Sequence, residues 1–400
     1  MAAPHVITLD QLREACSPGG ASVLTSITRL MPAAGPFASV APAKFTDRGR
    51  PVFAYEKRFY DGKPVNVVLI DSKQSQNNRC EAAVSAAMAD GDPVLSRVPR
   101  IRLDFGDGSS FTDMDLPHRA FDGQIRAGTI DGAPATAAPE YRALRDATTH
   151  HARALLERSP MTLVFGGWDA SRKSHQGRYR SLLVGEIVGV LADQDAAPED
   201  NQSMRGGARI DPLGQRIDLT EKARQGIAEA QKEELSKATF ESAAGKKGKP
   251  SVLGLGGIPP VLDQLGGVTC SEIIRSHVLS FSALRSLRFD SDGPEGDVAC
   301  RVVLAALALN ALARSDSELL LRANCDLVEA GPTAVALDMR HGEQEELGSL
   351  GIAEAQSLLA EAIAYAEQVG GLTWDGSALV VAGNPAVLQA AGDASGAEDA

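Results

Sequence analysis

Residues 298–313, VACRVVLAALALNALA, form an otherwise apolar run with Arg301 as its one charge, rich in the helix formers Ala and Leu. A helix that is apolar all round has to be enclosed. The run is shorter than the ~20 residues a membrane span needs, and no other stretch of the sequence reaches that length. The helix is therefore expected in the middle of a sizeable core. With 400 residues and 44% hydrophobic content the chain can build one. Because aromatic residues make up only 4%, that core must consist mainly of Leu, Val, Ile and Ala.

The remaining pattern mixes helices and strands, which sets the fold class as α+β. Residues 9–15 read as a short helix capped by Thr8 or Asp10, and 21–31 as a strand. Residues 53–60 and 65–70 flank DGKP as a hairpin turning at Asp61-Gly62, and 100–105 with 110–116 form a second hairpin around Gly106-Asp107-Gly108. Helices are expected over 141–158, 220–240 and 352–369, and strands over 319–328 and 334–339. The chain is expected to be one elaborated domain over 1–390, with insertions at about 91–140 and 192–260 and a disordered acidic tail over 391–400.

Several function classes are disfavoured. Five widely spaced cysteines with no CxxC argue for a reducing compartment and against a disulfide framework or a zinc site. MAAPHVITLDQLREAC has neither a basic n-region nor an apolar h-region, so a cytoplasmic location is expected. There is no GxSxG, HExxH or paired-carboxylate signature. GLGGIPP lacks a GK[ST] ending, and Pro259 and Pro260 block the helix a dinucleotide turn requires. No cofactor or metal is expected. His150 and His151 are adjacent, so they cannot chelate one metal as an i, i+4 pair would.

The formal charge of -12 is wrong for coating duplex DNA by bulk charge, yet residues 171–180, SRKSHQGRYR, contain no acid. This basic loop, with Arg172, Lys173, Ser174, His175, Arg178 and Arg180, lies between an apolar run at 161–165 that reads as a strand and a stretch at 181–190 that reads as a helix. Strand, cationic loop and helix in succession suit anion capture. Three other stretches repeat the theme of Arg with small polar residues. Ser72, Lys73, Gln74, Ser75, Asn77, Asn78 and Arg79 crowd a helix entry where one capping side chain would suffice. Met204, Arg205, Arg209 and Arg216 lie among glycines, and Arg275, His277, Arg285 and Arg288 follow further on. Such a distribution fits a single-stranded nucleic acid tracked along its backbone. The low aromatic share argues for phosphate and 2'-hydroxyl contacts over base stacking.

The segments DSKQSQNNRCE, LPHRAFDGQIR, LVFGGWDASRKSHQGRYRSLLVGEIVG, RGGARIDPLG, GLGGIPP and LSFSALRSLRF occur in that order between about residues 71 and 328. As an ordered set they resemble the backbone RAMP subunit, of the Cas-seven group, in type I-U (also called I-G) CRISPR Cascade complexes. The resemblance implies an RRM-like, ferredoxin-like palm with an antiparallel sheet, elaborated by finger and thumb insertions. It also implies a cytoplasmic, non-enzymatic subunit that stacks head to tail along CRISPR RNA. Its partners would be that RNA, further copies of itself, other Cascade subunits and, through the guide, target DNA in antiviral defence. Some RAMP proteins cleave RNA, so an endoribonuclease using His175, Asp169 or Asp211 is the alternative. An unrelated α+β metabolic enzyme is a third reading.

Overall fold

The computed structural model describes residues 5–207, 219–255 and 261–387. The chain divides into two compact units, residues 1–202 with 267–383, and residues 203–266 with 384–400. The first opens with helix α1 (Leu9–Cys16), where the Thr8 side chain accepts from the backbone of Gln11 in a capping box. Strand β1 (Val23–Pro32) follows, then a hairpin of β2 (Tyr55–Tyr60) and β3 (Lys63–Asp71). Its turn uses Asp61 and Gly62, both at positive φ, as the Asp-Gly pair foretells. Helix α2 (Lys73–Ala89) starts directly after β3 with Ser72 as N-cap, and β4 (Arg100–Asp104) pairs with β5 (Ser110–Thr112) in the second hairpin.

The stretch expected as one helix over 141–158 is two helices, α3 (Pro139–Asp146) and α4 (Arg153–Arg158). His150 and His151 fall between them, and His151 Nδ1 meets Asp290 at 2.7 Å. Two further expectations are exchanged. Residues 161–165 belong to a helix, α5 (Pro160–Phe165), begun by Pro160 at its first position. Residues 181–190 belong to a strand. After the short ribbon β6 (Gly167–Trp168) and β7 (Arg178–Tyr179) comes β8 (Leu183–Leu191), whose last five residues are all buried. A strand buried on both faces loses the alternation that would identify it, and only its β-branched content remains as a signal.

Strand β9 (Cys270–Ser280) precedes helix α6 (Gly293–Glu318), buried from Gly296 to Ala313. Then come β10 (Leu327–Glu329), β11 (Ala334–Asp338), β12 (Gln344–Leu347), helix α7 (Ile352–Gly370) and β13 (Ala378–Ala382). The main sheet has eight strands in the order β12-β11-β1-β9-β8-β3-β2, with β10 beside β1. Its pairings are antiparallel. Thus the fold is α+β around a large antiparallel sheet. Leu24, Leu183, Leu279 and Leu337 share one core with α6 and α7. On the opposite face Ile27, Met31 and Val278 are exposed. Strand β13 returns to run parallel to β4 in a second, five-stranded sheet. Among the described residues α6 alone is long and apolar enough to cross a membrane, and its central stretch from Gly296 to Ala313 is buried within the fold.

In the second unit, helices Glu221–Ala230 and Lys237–Ala244 bury Ala228 and Ala243, and buried Arg224 donates to the Gly245 carbonyl at 2.8 Å. They replace the single helix expected over 220–240. The glycine and proline loop is described only to residue 255, and the tail over 391–400 lies outside the described residues.

One packing contact makes a pH prediction. His277 on β9 is 2% exposed with no hydrogen-bond partner at either ring nitrogen, and a Cβ added at Gly185 on β8 would come within 1.9 Å of its Cδ2. Burial first, and the Arg275 charge second, hold the His277 pKa down from 6.5 to about 3. The folded chain keeps this ring neutral while the unfolded chain takes a proton. The resulting stability is fully present above the unfolded pKa and is lost as the pH falls from there toward 3. Denaturant titrations from pH 7 to 4 should show parent stability falling on the order of 1 kcal/mol per pH unit more steeply than in His277→Phe. Parallel profiles would assign the acid sensitivity elsewhere.

Candidate nucleic-acid interface

The basic loop is a ribbon whose inner side is locked and whose outer side is free. Gly167 pairs with Tyr179 and Trp168 with Arg178, so alternation sends Tyr179 inward and Trp168 and Arg178 outward. Tyr179 stacks on Phe121 at 6.1 Å, and Gly167 fits where a Cβ would lie 2.8 Å from Thr162. At the entry, Arg119 Nη1 donates to the Gly166 carbonyl at 3.1 Å while the rest of its guanidinium is bound by buried Glu81.

Asp169 closes the base of the loop. Its fully buried carboxylate accepts from Arg145 Nε at 2.7 Å and Nη2 at 3.1 Å, and from Ser171 Oγ at 2.9 Å. Burial alone would raise its pKa, but the Arg145 and Ser171 hydrogen bonds and the Arg145 charge hold the carboxyl below its usual range. Arg172 is engaged too, donating to the Arg145 carbonyl at 2.6 Å and pairing with Asp146 at 2.7 Å. Its role is to fasten the loop.

The tip differs. Lys173, Ser174, His175, Arg178 and Arg180 are exposed, and His175 sits at φ 56. Among the described residues Lys173, His175 and Arg180 have no hydrogen-bond or ion-pair partner, and Arg178 meets only the Trp168 ring, 4.8 Å away. Glu186, the nearest acid in sequence after Arg178 and Arg180, pairs with Arg58 at 2.5 Å and lies 4.0 Å from Lys73.

The polar helix entry is mostly occupied by its own fold. Ser72 caps α2, Ser75 donates to Asp71 at 3.0 Å, Asn77 is buried and donates to Ser181 at 3.2 Å, and Arg79 donates from Nε to Asp71 at 3.0 Å. Arg322 grips the same carboxylate. Burial pushes the Asp71 pKa up, but hydrogen bonds from Arg79 and Gln76 and the charges of Arg79 and Arg322 outweigh it and leave it lowered. Lys73, Gln74 and Asn78 remain exposed.

Other sequence candidates lie apart from the ribbon. Arg275, 2% exposed on β9, faces Asp316 at 3.2 Å and Glu329 at 3.8 Å; like His277, it belongs to the interior. Arg285 is turned inward to the carbonyls of Ala15 and Ala21, and it does not share a helix face with Arg288 because the helix there, Phe281–Leu284, is a single turn. Arg288 is exposed, 3.5 Å from Asp297. Arg209 and Arg216 lie outside the described residues, as do the side chains of Met204 and Arg205 and the alternative acid Asp211.

Burial raises the pKa of Glu81 and pushes Asp113 to about 7 and Asp316 to about 6. Asp113 is sealed between the Ile101 amide and the Ser159 hydroxyl. Asp316 lines a pocket of about 220 Å³ with Leu24, Leu309, Leu312 and Val335, where Arg275 neutralises it. No group of three or more metal-ligating side chains occurs among the described residues.

Sequence reasoning did not single out Arg145 or Trp168. The signal for Trp168 was its position directly before the basic loop; Arg145 carried none, since only the fold brings it to Asp169. Because Arg145 is an anchor, Arg145→Ala leaves a buried carboxylate uncompensated and should cost roughly 3 kcal/mol or more. Limited proteolysis should then cut within 170–177 faster than in the parent. An unchanged melting curve and cleavage pattern would remove the pair from the loop's support.

No curated protein matches the chain. Residues 24–194, the stretch that runs from β1 through the basic ribbon and β8, match the family described as CRISPR-associated protein GSU0053.

Proposed function

We propose that this chain is a CRISPR RNA-binding backbone subunit of a type I-U (I-G) Cascade complex, in which copies stack head to tail along the guide. The observation that carries the reading is the ribbon tip. Lys173, His175, Arg178 and Arg180 project without an acidic partner from a loop whose other charges are neutralised internally. Such a tip can take phosphates.

The sheet supports the same reading. Strands β11-β1-β9-β8 lie side by side, α2 comes between β1 and β8, and α6 between β9 and β11. That is the β-α-β-β-α-β order of a ferredoxin-like, RRM-like module, to which the β2-β3 hairpin adds an edge. A chain of charge -12 needs many small basic sites to hold RNA, and head-to-tail stacking that does not close supplies them. Other Cas subunits and target DNA paired to the guide complete the proposed partners.

We read the subunit as non-catalytic. Asp169 is engaged by Arg145, so exposed His175 is the one residue of the tip that favours the endoribonuclease alternative.

Anisotropy titrations with labelled single-stranded RNA should show length-dependent, salt-sensitive binding with little sequence preference. Lys173→Ala, Arg178→Ala and Arg180→Ala should each weaken binding and lower the salt slope by roughly 0.7, whereas Arg79→Ala and Arg285→Ala should mainly lower the melting temperature. Three folded tip variants that bind like the parent would end this reading.

Incubation with RNA and Mg²⁺ should leave the RNA intact. Discrete products lost in His175→Ala would establish the ribonuclease instead.

A further inference from the structure

The ribbon carries an aromatic group that phosphate binding does not use. The chain has two tryptophans, and it treats them in opposite ways. Trp374 is 1% exposed and its indole N–H donates to the Leu156 carbonyl at 3.0 Å, which is how a packing tryptophan is satisfied. Trp168 is 48% exposed. The Arg178 guanidinium stands over its ring at 4.8 Å, directly across the ribbon. With one face shielded by a cation, the exposed remainder of the indole is a flat apolar surface beside free positive charge.

The mount is rigid. Behind Trp168, Gly167 and Tyr179 are fixed against Thr162 and Phe121. Ahead of it, the Asp169 amide donates to the Gly177 carbonyl at 2.9 Å and the Asp169 carboxylate is held by Arg145. A preset ring loses little conformational freedom when a ligand stacks on it.

We propose that Trp168 is a base-stacking platform of the proposed RNA interface. An unpaired nucleobase lies on the part of the indole that Arg178 leaves open, and Arg178 takes the adjoining phosphate. This rests on the RNA-binding reading and adds one stacking contact to the phosphate and 2'-hydroxyl contacts that the low aromatic share favours. Every base has a π face, so the contact is tolerant of sequence; purines, with the larger ring system, bind better.

The two tryptophans make the test direct. The full chain is titrated with oligo(rA), oligo(rU) and an abasic oligomer of equal length, reading tryptophan emission while the anisotropy of a labelled oligomer reports binding. Oligo(rA) should quench emission more than oligo(rU), and the abasic oligomer should bind without quenching. In Trp168→Phe, which leaves only buried Trp374 to emit, quenching should vanish, and oligo(rA) affinity should fall less than in Trp168→Ala because a smaller stacking ring remains. Trp168→Ala should weaken oligo(rA) binding about tenfold, leave abasic binding unchanged and keep the salt slope, because no phosphate contact is lost.

Binding by anisotropy with no change in emission overturns the platform and leaves the RNA-binding reading standing. Equal losses for oligo(rA) and the abasic oligomer in folded Trp168→Ala also overturn it. No binding of any oligomer overturns both readings. Emission that ignores RNA but shifts as protein concentration rises would assign Trp168 to a contact between copies of the chain.

Discussion

Enclosing α6 is the constraint on which the architecture depends. From Gly296 to Ala313 every residue of that helix is buried, so it needs walls on all sides. The main sheet supplies one, and α1, α2, α5 and α7 pack against the others. Its two charges near the start are met locally: Arg301 donates to the Leu287 carbonyl at 2.9 and 3.0 Å, and Asp297 accepts from the Phe289 amide at 2.8 Å. At about 1.5–3 kcal/mol for each large apolar side chain removed from water, this one helix is a major part of the folding drive. Its walls come from both ends of the chain, so the core closes only when distant segments have met.

Around that core, most arginines are structural. Arg79 and Arg322 share Asp71, Arg119 meets Glu81, Arg145 meets Asp169, and Arg275 meets Asp316. Each pair draws a cation inward, and those of Arg119, Arg145, Arg275 and Arg322 join segments distant in sequence. The exposed ribbon tip is one place where this acidic protein carries positive charge without an acidic partner.

This explains what the sequence could and could not convey. The helix at 298–313, the turn at Asp61-Gly62, the cap at residue 72 and the acid-free loop were legible because each depends on local chemistry. The exchange of helix and strand at 161–165 and 181–190 came from apolar runs too short or too buried to show a period. Gly185 in β8 gives way to His277, and Gly189 to Cys270 and Ile70, partners that only the folded sheet defines. For the arginines, composition reveals a cation but not its counter-ion. Arg79 and Arg275 looked like ligand contacts and Arg145 looked neutral, because Asp71, Asp316 and Asp169 approach them only through tertiary structure.

The strand order also bears on what counts as a unit of this protein. Strands β1 and β8 both lie within the family-matched stretch, yet they do not touch in the ladder; β9 stands between them and pairs with each. That strand is supplied by residues 270–280, beyond the matched region and across the whole intervening second unit. A fragment ending at residue 194 would hold two separate pieces of sheet with bare facing edges and no α6 to cover. The boundary of the matched stretch therefore cuts through the middle of one hydrogen-bonded sheet.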